Sequence, residues 1–259
     1  MAFDQRRMYE AMSNAYAPAP TTPPAEEVVE TPFGKFLVDS RDVIDATLEA
    51  GTLWDGPGFL QPLAVEYGRL GERGVTILDV GAHHGAFSVW LARQGAWRVV
   101  AVEPVPQTMQ RLKANLDLNR EATASCVIPI EVAAYDARRL LWVPPVEAGN
   151  TGGVALRPEG EVGAPTVAAR PLDEYRWLCP QVSLIKVDAQ GCDGRALRGA
   201  QALIEVHHPA IVFEWEADLA AAHGDSLTGP AGIWEWLVAR GYHVHAWPSQ
   251  PNNYVARWR

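Results

Sequence analysis

Basic residues are scarce in this chain of 259: 22 lysines and arginines against 31 aspartates and glutamates leave a net charge of −9. A polynucleotide backbone needs a cationic surface, so nucleic acid is not expected as a partner. Cysteine is scarcer still. Cys126, Cys179 and Cys192 are odd in number and far apart, a pattern that excludes a disulfide framework and a close-spaced structural zinc site. No apolar run reaches the ~18 residues of a membrane span. The opening MAFDQRRMYEAMSNAY lacks the compact apolar region of a secretory signal. These absences predict a cytoplasmic protein with no membrane partner. The 48% of apolar residues and ten tryptophans suffice for a sizeable core.

A phosphate-binding loop is missing too. Residues 76–103 read TILDVGAHHGAFSVWLARQGAWRVVAVE. An apolar run ends in Asp79, a turn carries Gly81 and Gly85, an amphipathic stretch follows, and a second apolar run stops at Glu103. Strand, glycine turn, helix and an acid-tipped strand make a unit suited to adenosine, because the acid can grip both ribose hydroxyls. The dinucleotide fingerprint G-x-G-x-x-G keeps a glycine where the backbone meets a pyrophosphate. Here His83 and His84 fill that crowded stretch, which fits a ligand without phosphates, S-adenosylmethionine, better than a dinucleotide.

Strands are expected at residues 76–80, 98–103, 127–133, 184–188, 210–215, 242–246 and 254–258, and helices at 86–94, 106–119, 195–206 and 231–240. The alternation predicts a mostly parallel sheet covered on both faces. Only a short linker of Pro, Ser and Asn separates the last two strands, so they should pair antiparallel. The expected fold class is α/β: a Rossmann-like, seven-stranded, mostly parallel sheet with an antiparallel terminal hairpin, as in class I methyltransferases. Residues 1–32 read as an arm with a short helix at 3–16 and a Pro-rich linker. Covering a substrate, joining a homodimer, or neither, all stay open for it. Residues 33–74 read as a cap, with a hairpin or strand at 32–39 and helical spacing at 42–50 and 59–70. Residues 75–259 are the cofactor-binding domain. Within it, residues 138–170 are rich in glycine and proline and should form short strands and loops walling a substrate pocket.

Ligands of an open α/β sheet bind beyond the carboxyl ends of its strands. That rule selects Asp79, Gly81, His83, Gly85, Glu103, Pro104 and Asp136 as cofactor-binding candidates. Glu103 would take the ribose hydroxyls, Asp136 the adenine amine, and the 81–85 backbone the methionine portion, with His83 near its carboxylate or sulfonium. Asp188 and Glu214 would stand where a methyl acceptor arrives, and Glu216 ends the same strand region. Trp54, Trp142, Trp177 and Trp215 are candidate walls for a ring-bearing acceptor. Cys192 reads as a packing residue, His84 as a solvent-exposed helix start, and His207 and His208 as structural residues at the far end of the sheet.

The chain resembles the FkbM-type family of S-adenosylmethionine-dependent methyltransferases. The elements that carry the resemblance are DVGAHHG (79–85), VEP (102–104), AAYD (133–136), PLDEY (171–175), IKVDAQG (185–191), LRGA (197–200) and IVFE (211–214). The resemblance covers roughly residues 33 to 245. His83 departs from the family's usual Asn, and Gln190 from its usual Glu. The resemblance implies methyl transfer to a hydroxyl of a small-molecule sugar or secondary metabolite. An alcohol needs a general base, for which the order of choice is Asp188, Glu214, then His83 or His84. Asp188 and Glu214 can also contribute oxygen ligands to a divalent cation, but no tight ligand set demands a metal and none is assigned. The alternatives are a non-catalytic S-adenosylmethionine-binding protein, suggested by Gln190, and an NAD-dependent oxidoreductase.

Overall fold

The computed structural model describes residues 26–145, 149–160 and 163–259; the helix expected at 3–16 lies outside them. β1 (Glu27–Thr31) and β2 (Gly34–Val38) form an antiparallel hairpin, so residues expected to end the linker are strand. Phe36 and Val38 face the core. The free edge of β2 is closed by side chains: Leu37 N–H donates to Asn115 Oδ1 (2.8 Å) and Lys35 N–H to Asn119 Oδ1 (3.0 Å). These bonds tie the cap to the main domain and satisfy an otherwise open strand edge. Helix α1 (Val43–Glu49) begins at Asp42, whose carboxylate caps the Ile44 and Asp45 N–H groups. A π-helical turn at Gly56–Leu60 runs into α2 (Gln61–Tyr67).

The main domain follows as β3 (Thr76–Val80), α3 (Ala86–Arg93), β4 (Arg98–Val102), α4 (Pro106–Leu118), the single turn α5 (Arg120–Thr123) and β5 (Val127–Ile130). β6 (Ala133–Ala134), β7 (Arg139–Trp142) and β8 (Thr166–Arg170) make a separate small sheet. The chain then returns through β9 (Val182–Val187), α6 (Asp193–Gly199), α7 (Gln201–His207), β10 (Ala210–Glu214), α8 (Ala217–Ala222), α9 (Ile233–Val238), β11 (Tyr242–Trp247) and β12 (Gln250–Trp258).

The seven-stranded sheet has the order β11-β12-β10-β9-β3-β4-β5. It is parallel except where β12 runs antiparallel to β10 and β11. β3 and β9 are buried along their whole length, as strands covered on both faces must be. Two apolar clusters occupy the two faces, one built on Ile77, Val99 and α3, the other on Leu78, Val100 and α6–α7. Among the described residues no helix is long and apolar enough to cross a membrane.

Two boundaries differ from expectation for physical reasons. The strand expected to run to 133 stops at Ile130, because Ala133 and Ala134 leave the main sheet to pair with β8. The helix expected at 195–206 starts at Asp193 and breaks at Ala200, where Gly199 lies directly against the Tyr135 carbonyl. What positions the site is the register. Val80 aligns with Val102 of β4 and with Val187 of β9, so Gly81, Glu103 and Asp188 emerge at one level, at the point where strand order reverses.

Candidate active site

At Gly81 the chain takes φ +72°, and a side chain there would overlap the Asp188 carbonyl. The N–H groups of Gly81 and Ala82 both donate to Val102 O (2.9 and 3.0 Å), which folds the loop over the end of β4. His83 N–H then donates to Glu103 Oε2 (3.0 Å), and Val105 N–H to Glu103 Oε1 (2.9 Å). Two backbone donors thus fix the carboxyl, leaving lone pairs on both oxygens for a diol. Burial pushes the Glu103 carboxyl up to about 7 despite those donors.

Asp79, Gly81, His83, Glu103 and Pro104 line one cavity, together with Asp188 and Glu214 from across the switch point. Asp79 is wholly buried; Ser88 Oγ donates to its Oδ2 (2.6 Å), whereas Oδ1 has no hydrogen-bond partner and faces Lys186 Nζ at 3.5 Å. Two cofactor candidates are not brought there. Gly85 lies in the turn that opens α3, where its left-handed φ of +86° redirects the chain. Asp136 is carried off when β6 joins the small sheet, and its carboxylate binds Arg195 Nη1 at 2.7 Å. The apolar edge Val132, Ala133 and Ala134 lines the cavity in its place.

On the other side stand Asp188, Gln190, Glu214 and Glu216. Burial raises Glu214 first, and the charges of Asp188, Asp193 and Glu216 raise it further. That direction favours the protonated form, which suits Glu214 to donating a hydrogen bond rather than to the role of base. Lys186 Nζ donates to Gly81 O (2.8 Å) and lies 3.5 Å from both Asp79 Oδ1 and Asp188 Oδ2. Burial would lower this ammonium, but the charges of Asp188 and Asp79 outweigh it and hold it above its ordinary value.

His83 is half-buried, and its imidazole is held well below its ordinary value by burial and by His84, so it is neutral. Its Nε2 lies 2.9 Å from Thr151 Oγ, whose own hydrogen goes to Asp42 Oδ2 (2.8 Å). Nε2 must then carry the imidazole hydrogen, which leaves Nδ1 as the acceptor. His84 is not the solvent-exposed residue expected. Its ring is buried, with Nε2 3.1 Å from Asp45 Oδ1 of α1.

Lys186 and Thr151 were not legible as site residues, nor were Ile44, Leu48, Leu53 and Leu60 of the cap wall. Lys186 left a signal, a cation inside the apolar run IKVD. Thr151 left none, because residues 138–170 show no periodicity. Of the four tryptophans only Trp54 lines the cavity; Trp215 is core, and Trp177 is 75% exposed. The Cys192 thiol also lines it, pushed up to about 12 by burial and hence a poor nucleophile. His208 stacks on Trp258 at 4.0 Å, away from the cavity lining. Among the described residues no group of three or more His, Cys, Asp or Glu is arranged to hold a metal.

Residues 79–244 match the model of the methyltransferase FkbM domain. Among solved structures the chain is similar to the methyltransferase FkbM of Methylobacillus flagellatus, at 19% identity and a TM-score of 0.49. That match covers 74% of this chain but only 45% of the other. It is also similar to a precorrin-6y C5,15-methyltransferase of Geobacter metallireducens, at 16% identity and a TM-score of 0.43, over 77% of this chain and 87% of that one. Aeropyrum pernix fibrillarin, solved with natively bound S-adenosyl-L-methionine, is 15% identical with a TM-score of 0.41, over 76% and 73%. No curated protein matches. These structural likenesses are too distant to carry an activity across, but the family model takes in well over half of the chain: the protein belongs to the methyltransferase FkbM domain family.

Proposed function

We propose that the protein transfers a methyl group from S-adenosylmethionine to a hydroxyl of an uncharged small molecule. The observation that carries this reading is the single level at which Gly81, Glu103 and Asp188 leave β3, β4 and β9 around one cavity. The residues suit the cofactor. The bare backbone at Gly81 admits close approach, and Glu103, held by the His83 and Val105 N–H groups, suits a ribose diol. When bound, the cofactor supplies an electrophilic methyl on a sulfonium.

This chain's own residues have two tasks, to align the acceptor oxygen and to take its proton. Asp188 is the base: it lines the cavity, and Lys186 beside it supports a carboxylate. Glu214 donates to the acceptor instead. Among the described residues no arginine lines the cavity, and Lys186 is engaged by Asp79 and Asp188, so none of these residues is left to neutralise a phosphate.

The test is incubation with S-adenosylmethionine and a panel of alcohols, phenols and sugars, each paired with its phosphate ester, reading methyl ether by mass. Turnover of uncharged members alone is expected; preference for the phosphate esters would sink the charge argument. Cofactor affinity with no product from any member would leave a binding-only protein. Asp188→Asn should lower kcat by about 10²–10⁴-fold while S-adenosylhomocysteine still binds. A kcat within threefold of wild type would remove Asp188 as the base.

A further inference from the structure

The turn at residues 188–192 is built to hold one side chain. Gln190 takes φ +49°, a left-handed conformation that is uncommon for a residue with a Cβ. The buried carboxyl of Asp193 holds it there, accepting from Ala189 N–H (2.9 Å) and Gly191 N–H (3.0 Å). The Gln190 side chain then reaches both acids of the cavity: its Nε2 lies 3.0 Å from Asp188 Oδ1 and 3.1 Å from Glu214 Oε2. A primary amide nitrogen has two hydrogens, and both are used.

We propose that Gln190 is a positioning residue whose amide, donating to Asp188 Oδ1 and to Glu214 Oε2, clamps the two acids side by side as one unit. The inference rests on the methyl-transfer reading for its purpose, though not for its geometry. The groups facing the pair are unequal. Asp188 has the amide on Oδ1 and the Lys186 ammonium beside Oδ2. Glu214 has the same amide and feels Lys186 only from beyond ion-pair distance, while burial and then the charges of Asp188, Asp193 and Glu216 all press on it. A carboxylate at position 190 would bring a third acid and no N–H donor. Two carboxyls would then need protons where one does now.

The test is carboxyl-carbon NMR of the full chain labelled at Asp and Glu, compared at mildly alkaline pH above the midpoints of Glu103 and Asp193, both about 7, and then titrated upward until Glu214 ionises. Glu214→Gln identifies the protonated resonance of Glu214. Gln190→Glu should then show one more protonated carboxyl than wild type; an equal number, or a wild type in which Glu214 is already ionised, overturns the clamp. Gln190→Leu is a neutral second variant. It removes both donors and should raise the Glu214 midpoint by about one pH unit or more, whereas an unmoved midpoint overturns the proposal. S-adenosylhomocysteine affinity of the wild type is measured alongside. Its absence would defeat the methyl-transfer reading and leave the clamp to be decided by the resonances.

Discussion

Glu103→Gln should weaken S-adenosylhomocysteine binding by at least about a hundredfold, as read by calorimetry. Two charge-assisted hydrogen bonds to a ribose diol are worth roughly 1.5–3 kcal/mol each, and about 1.4 kcal/mol is a factor of ten. The amide keeps the size of the side chain but offers one acceptor oxygen in place of two. It also turns an N–H toward either His83 or Val105, whose own N–H groups now point at the carboxyl. The variant thus loses a ligand contact and disturbs the turn that forms the loop.

The same residue gives binding a pH dependence with a definite sign. In the free protein Glu103 titrates at about 7, because burial disfavours its charge. Ribose hydroxyls donate to the ionised form, so binding favours proton release. Affinity should rise with pH up to about 7 and level off above it, and Glu103→Gln should flatten that slope. A wild-type affinity independent of pH between about 5 and 7 would show that the carboxyl is not the group in contact. Stability follows the opposite course. A folded midpoint above the ordinary glutamate value of 4.5 means that the contribution of the protonated carboxyl is complete below 4.5 and is lost as pH rises through about 7.

Much of this site was legible because parallel strands leave strong local signals. β3 is an apolar run that ends where glycine must begin, and β4 ends at the acid that its neighbour's loop needs. Gly81, Glu103 and Asp188 follow from that periodicity alone, since each is the first residue past a run. Asp136 shows where the rule fails. It follows an apolar run that divides after Ile130 into two sheets, and the division depends on pairing with β8, more than 30 residues away. Glu214 lines the cavity, but its environment, which burial and neighbouring acids tilt toward the protonated form, is not readable from the run that ends in it. That tilt comes first from burial and then from Asp188, Asp193 and Glu216 closing on it from other positions in the chain. His84 misled for a related reason. A histidine at a helix start looks solvated until a cap residue, here Asp45, is known to cover it.

Asp45→Ala should be the most destabilising substitution of the cap, at about 3–5 kcal/mol, read as a fall in Tm and in the denaturation midpoint. Asp45 is fully buried and answers three groups at once. Arg111 Nη2 lies 2.5 Å from Oδ2, Asp39 N–H donates to the same oxygen at 2.7 Å, and His84 Nε2 faces Oδ1 at 3.1 Å, off the hydrogen-bond line. Removing the carboxylate leaves the largely buried Arg111 guanidinium without its main counter-charge, and that uncompensated charge dominates the cost. Burial alone would raise the Asp45 carboxyl, yet His84 and Arg111 outweigh it and hold it at about 2. Its stabilisation is therefore complete above the ordinary aspartate value of 3.8 and lost as pH falls through about 2. The wild type should lose stability in that window, and Asp45→Asn should lose less of it. Because His84 follows His83 in the loop that turns over Glu103, the same substitution should also weaken S-adenosylhomocysteine binding. If Tm fell while affinity stayed at the wild-type value, the cap would be a separate support rather than part of the site's frame.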